Sequence, residues 1–161
     1  MVLNNFKKSF SKLKLPIPLI QKKTLVILDT NFLLLPGSQG IDIFSVIPQK
    51  IDDLVELAVV EPSLWELQHI IEGSSKSKTK HGKVKGSDKF NAKLGFVLVK
   101  QKGLKVLKPS QVTGFADEAI ISFVKKGVFV ATLDKDLQKK VLEKQGKVIL
   151  VRQGKRLEIK A

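Results

Sequence analysis

A short apolar run that stops dead at a carboxylate occurs twice in this chain, as Leu25-Val-Ile-Leu-Asp-Thr-Asn31 and again as Val128-Phe-Val-Ala-Thr-Leu-Asp134. Short runs rich in β-branched residues read as strands buried on both faces, the signature of a parallel sheet. In such sheets ligands gather beyond the carboxyl ends of the strands, where the strand order reverses. Two acid-tipped strands side by side would therefore form an acidic notch.

The rest of the chain alternates in a way that suits this reading. Strands are expected over 24–28, 58–60, 104–107, 128–132, 148–151 and 156–159. Helices are expected after Asn31 and over 49–57, 63–71, 116–125 and 135–144. Pro62 beside Ser63 marks a helix start, with Leu64, Leu67, Ile70 and Ile71 as its buried stripe and Glu66 off it. A further helical pattern runs through Phe90, Leu94, Val97 and Leu98, and both Phe90 and Phe96 suit its core side. Strands alternating with helices predict a three-layer α/β/α sandwich around a central parallel sheet. Residues 24–161 form that domain, preceded by a basic extension over 1–23, where Phe6, Phe10 and Leu13 fall at helical spacing before Pro16 and Pro18. The polar, glycine-bounded stretch 73–86 reads as a lysine-rich loop.

Charge narrows the partners. The 161 residues carry 29 Lys plus Arg against 15 Asp plus Glu, a net charge of +14. From Ser74 to Lys108 stand eleven lysines against Asp88 alone, so most of the excess lies in one part of the chain. That concentration argues against lysine serving solubility alone and for a polyanion, held through its phosphates. Lys76, Lys78, Lys80, Lys83 and Lys85 are the candidate RNA-binding residues. Trp65 reads as a half-buried packing residue, so backbone contact without base readout is expected.

Cysteine is absent, which excludes disulfides, thiolate metal sites and cysteine nucleophiles, and the two histidines, His69 and His81, are too few for a histidine-built centre. No apolar run reaches the ~20 residues that span a bilayer, so no membrane partner is expected and a cytoplasmic location is. Neither a Gly-X-Gly-X-X-Gly turn nor a Gly-Lys-Ser/Thr loop is present, and Asn31 stands where an Asp-X-Asp phosphatase needs its second acid.

Asp29 and Asp134 end strands, Asp117 opens the helix beginning Ala116-Asp-Glu-Ala, and Glu66 lies on the helix after the second strand. Clustered carboxylates raise one another's pKa values unless a cation neutralises them, and all-oxygen ligands select hard ions, Mg²⁺ or Mn²⁺. Such ions support phosphodiester hydrolysis. Aspartate is also a favoured helix N-cap, so on spacing alone Asp29 and Asp134 read equally well as caps.

The wording around the acids resembles the PIN domain, a metal-dependent ribonuclease fold, over residues 24–151. Leu28-Asp-Thr-Asn-Phe32, Ser63-Leu-Trp-Glu-Leu67, Ala116-Asp-Glu-Ala-Ile120 and Thr132-Leu-Asp-Lys-Asp-Leu137 carry the likeness in order. Phe115-Ala-Asp-Glu together with the segment 131–140 is similar to the branch that processes ribosomal RNA precursors in archaea and eukaryotes. The resemblance implies Asp29, Glu66, Asp117 and Asp134 as catalytic acids, with Asp29, Asp117, Asp134 and Asp136 on the metal. Thr30, Asn31 and Glu118 would be auxiliary, and Glu61 and Glu72 are the alternatives to Glu66. A homodimer is compatible with it. The function expected is an Mg²⁺/Mn²⁺-dependent endoribonuclease acting on RNA, precursor ribosomal RNA included. Its rivals are a toxin-type PIN ribonuclease silenced by a small protein partner and an inactive RNA-binding protein of ribosome assembly.

Overall fold

Among the described residues every strand but the last runs in one direction, and the order of the strands places the two acid-tipped runs next to each other. The structure is a computed structural model that describes residues 22–73, 86–111 and 114–161. Its elements in chain order are β1 (Thr24–Leu28), α1 (Thr30–Leu33), α2 (Leu35–Gln39), α3 (Ile43–Gln49), β2 (Val55–Val60), α4 (Glu61–Glu72) and α5 (Gly86–Gln101). They continue as β3 (Lys105–Leu107), α6 (Ala116–Phe123), β4 (Phe129–Ala131), α7 (Lys135–Glu143), β5 (Lys147–Arg152) and β6 (Arg156–Lys160). The basic extension falls outside the described residues except for its last two, and so do the loop lysines Lys76, Lys78, Lys80, Lys83 and Lys85.

The six strands form one sheet in the order β3-β2-β1-β4-β5-β6. Strands β1 to β5 are mutually parallel and β6 is antiparallel to β5. The chain steps outward from β1 to β2 and β3, then returns to the other side of β1 as β4, so the order reverses between β1 and β4. Leu28 pairs with Ala131 there, and the Asp29 amide donates to the Ala131 carbonyl at 3.0 Å.

Alternation along the strands gives each face of the sheet its own core. Val26, Leu28, Val59, Phe129 and Ile149 face α1 to α5, whereas Ile27, Ala58, Val60, Val130 and Val148 face α6 and α7. Strand β1 is buried from both sides, with Val26, Ile27 and Leu28 wholly inaccessible. Each such large aliphatic side chain contributes ~1.5–3 kcal/mol of burial, which fixes the carboxylate that follows.

Two expectations fail. No helix occupies 49–57: Asp42 caps α3 earlier, its side chain accepting from the Ser45 amide at 3.2 Å, and Val55 to Leu57 belong to β2. Pro48 removes a donor in the last turn of α3, and the helix ends one residue later. The buried face of α5 is Asn91, Ala92, Gly95 and Val99, while Phe90 is 64% exposed and Val97 is exposed as well. Small residues win that face because α5 lies almost against the backbone of α1: a Cβ on Gly95 would stand 2.5 Å from the Leu33 carbonyl oxygen. The central sheet is parallel as expected from β1 to β5, and only the closing strand β6 runs the other way, reversed by a turn with Gly154 and Lys155 both at positive φ.

Candidate active site

The carboxyl end of β1 delivers Asp29 into a buried position with three donors around it. Its Oδ1 accepts from the Thr30 amide at 2.7 Å, and its Oδ2 accepts from Asn31 Nδ2 at 2.7 Å and Thr132 Oγ1 at 2.6 Å. A carboxylate has about four acceptor positions, so these three leave one, on Oδ1. Asp29 is therefore a helix cap and a candidate ligand at once: it caps α1 with the oxygen that keeps the open position.

Thr132 links the two acid-tipped strands. Its hydroxyl donates to Asp29 and accepts the Asp134 amide at 3.0 Å, and Gln138 Nε2 donates to its carbonyl at 3.1 Å. Asn31 makes a second link, its Oδ1 accepting from the Leu133 amide at 3.0 Å. Thr132 is fully buried. Sequence reasoning did not single it out, although a polar residue closing an apolar strand two positions before Asp134 was a legible signal.

Asp134 caps α7, its Oδ1 accepting from the amides of Asp136 at 2.8 Å and Leu137 at 3.0 Å, which leaves Oδ2 outside the cap. Asp136 lies exposed in the first turn of α7. Glu66 is the acid that α4 turns toward the notch: its Oε2 accepts from Thr30 Oγ1 at 2.5 Å and its Oε1 from the Ala116 amide at 3.4 Å. The alternatives point elsewhere, Glu61 pairing with Lys108 at 3.7 Å and Glu72 accepting from Gln68 at 2.9 Å. Asp117, half-buried in the first turn of α6, completes the group, with Glu118 exposed beside it.

The electrostatics follow from burial and from likeness of charge. Burial pushes the Asp29 carboxyl up to about 7, with Asp117 and Glu66 adding to the rise and the bonds from Thr132 and Thr30 opposing it. Asp117 is raised too, first by burial and then by Asp134 and Glu118, with Lys140 opposing. Asp29, Glu66, Asp117 and Asp134 thus share one field of negative charge. Among the described residues no three carboxylates stand close enough to form a ready-made metal cage. The donor set is nonetheless all oxygen, and its shared negative charge is of the kind a divalent cation would relieve.

Two apolar side chains flank the notch in the open. Phe115, which precedes the acid helix, is 67% exposed, and Leu133, between Thr132 and Asp134, is 39% exposed. Trp65, expected to be half-buried, remains 43% exposed next to Glu66. No helix among the described residues is long and apolar enough to cross a membrane.

A family model described as a PIN like domain matches residues 26–154. The curated protein Ribonuclease VapC4 of Methanocaldococcus jannaschii is 31% identical over 136 residues, covering 83% of this chain and 95% of the relative. The solved structure of the PIN domain endonuclease Utp24 matches with a TM-score of 0.64 at 19% identity, covering 84% of this chain and 90% of that one. The last is a likeness of fold.

Proposed function

This chain belongs to the PIN-like domain family, and on that premise we propose that it is an endoribonuclease that uses Mg²⁺ or Mn²⁺ to hydrolyse RNA phosphodiester bonds. The observation that carries the reading is the hydrogen-bonded link Asp29–Thr132–Asp134 across the switch point of the sheet, with Glu66 and Asp117 drawn to the same notch. The identity to a curated ribonuclease supports turnover over a purely structural role in RNA assembly.

Asp29, through its one open acceptor position, Asp134, through Oδ2, and Asp117 would hold the ion, with Asp136 at the margin. Bound there, a divalent ion supplies a Lewis acid for the phosphoryl oxygen and lowers the pKa of its water. The chain's own residues do the positioning. Asn31 and Thr132 fix the plane of the Asp29 carboxylate, and Glu66, held by Thr30 and the Ala116 amide, ties α4 and the start of α6 to α1. Precursor ribosomal RNA is the substrate we propose, on the wording of Phe115-Ala-Asp-Glu and of segment 131–140, in the cytoplasm. The loop lysines 76, 78, 80, 83 and 85 would hold its backbone.

Purified protein should cut RNA when Mn²⁺ is supplied and lose that activity in Asp29→Asn. Cleavage undiminished by that substitution would exclude the notch as the catalytic centre. Calorimetry with Mn²⁺ separates an inactive scaffold, which would give no binding heat, from the enzyme.

A further inference from the structure

On the face of the sheet opposite α1 to α5, a groove of about 670 Å³ runs between α7 and the β5–β6 hairpin. Lys135, Lys139, Arg152 and Lys160 line it, with Glu143 as the acid on the lining and Leu142 and Leu150 as apolar surface. Glu158 lies nearby but is already balanced: Arg152 donates to it through Nε at 2.9 Å and Nη2 at 3.2 Å, and Arg156 and Lys160 act on it as well.

The direction of the groove follows from topology. Helix α7 connects the parallel neighbours β4 and β5 and so runs back along the sheet, its first residue, Lys135, following Asp134 directly. Arg152 ends β5 at that same rim, whereas Lys160 pairs with Val148 toward the opposite edge. The groove therefore opens beside the carboxylate notch and leads away from it. Cationic walls with apolar surface between them match a single strand of nucleic acid, whose phosphates need cations and whose bases accept apolar contact.

We propose that this groove is the track of a single-stranded stretch of RNA leaving the carboxylate notch, its phosphates on Lys135, Lys139, Arg152 and Lys160. The proposal rests on the ribonuclease reading for the identity of the polymer. It adds a second RNA surface, distinct from the loop lysines and built on rigid elements.

The test is equilibrium binding of a labelled single-stranded RNA, measured by fluorescence anisotropy over a range of KCl concentrations, with EDTA present so that nothing is cut. The triple variant Lys135→Gln, Lys139→Gln, Lys160→Gln is compared with Lys50→Gln, Lys125→Gln, Lys126→Gln, which loses the same charge from exposed positions elsewhere. The groove variant should bind roughly tenfold or more weakly at low salt, and its slope of log affinity against log salt should become shallower by roughly 0.7 for each phosphate that no longer meets a cation. The control variant should keep the wild-type slope. Equal slopes in the two triples would mean diffuse attraction and overturn the track. Polyglutamate competing better than RNA of equal charge would assign the groove to an acidic protein instead, and also overturn it. Because binding is read without turnover, a wild-type protein that cuts no RNA with Mn²⁺ would remove the nuclease reading and leave the slope comparison standing.

Discussion

Asp29 is held by three donors yet pushed up to about 7, because burial and the neighbouring Asp117 and Glu66 outweigh the hydrogen bonds. Its folded-state pKa lies above its unfolded value, so between about pH 4 and pH 7 the native state binds the extra proton. Stability from this group is full at the acid end and is lost as pH rises through about 7, on the order of 4 kcal/mol in all. The melting temperature of chelator-treated protein should therefore fall between pH 5 and pH 8. Mn²⁺ should restore it at pH 8 and do little at pH 5, which scanning calorimetry would read; a metal-free profile flat across that range contradicts the assignment. Thr132 offers a second test, because Thr132→Val keeps the shape while removing the donor to Asp29 and the acceptor for the Asp134 amide. We expect a loss of about 1–3 kcal/mol in urea unfolding and a fall of about 10- to 100-fold in RNA cleavage, with Thr132→Ser retaining most of both. Phe115→Ala should leave stability unchanged, since that side chain packs on little. The exposed ring beside the acids offers a stacking face, so the variant should weaken RNA affinity by about 1–3 kcal/mol, as read by anisotropy, and unchanged affinity would exclude that contact.

The close approach of α5 to α1 belongs to the level of elements. Gly95 lets the α5 backbone reach the Leu33 carbonyl, and Gly37 does the same for Asn91 from the α2 side, where an added Cβ would stand 2.5 Å from Asn91 Oδ1. In a free helix, Gly95→Ala would gain about 1 kcal/mol of propensity. Here the added methyl meets backbone rather than a flexible side-chain tip. We predict a net destabilisation of about 1–3 kcal/mol by chemical denaturation. Cleavage should survive at temperatures where the variant is folded, because α5 carries none of the four acids. A stabilised Gly95→Ala protein would show that α1 and α5 can move apart at little cost.

At the level of the molecule, one sheet serves two cores, with β1 and β4 contributing alternate residues to each. Neither face can lose its helices without exposing strands that hold the other, so unfolding should be a single cooperative transition. Far-UV circular dichroism and the fluorescence of Trp65, on α4, should follow coincident urea curves; separated curves would mean that the two layers open independently. The net charge of +14 acts over the same dimension, steering a polyanion from a distance. Along the proposed RNA track beside α7 that attraction becomes contact.

Local sequence settled the identity of most elements and the residues at the tips of β1 and β4. Period-2 burial, β-branched runs and caps such as Asp29 and Asp134 act over a few residues and need no knowledge of the rest. It also carried Asp117 on α6 and Glu66 on α4, but not which of Glu61, Glu66 and Glu72 turns inward, since that depends on how α4 rolls against Thr30 and Ala116. Composition likewise revealed the cationic excess without its shape. What only the fold decided were relations between distant residues: the link from Asp29 through Thr132 to Asp134, the small-residue face of α5, the early α3 in place of a helix over 49–57, and the reversal of β6. Each depends on which backbone comes to lie against which. Sequence patterns report the burial of a position, whereas the partner that buries it is chosen by packing across the whole chain.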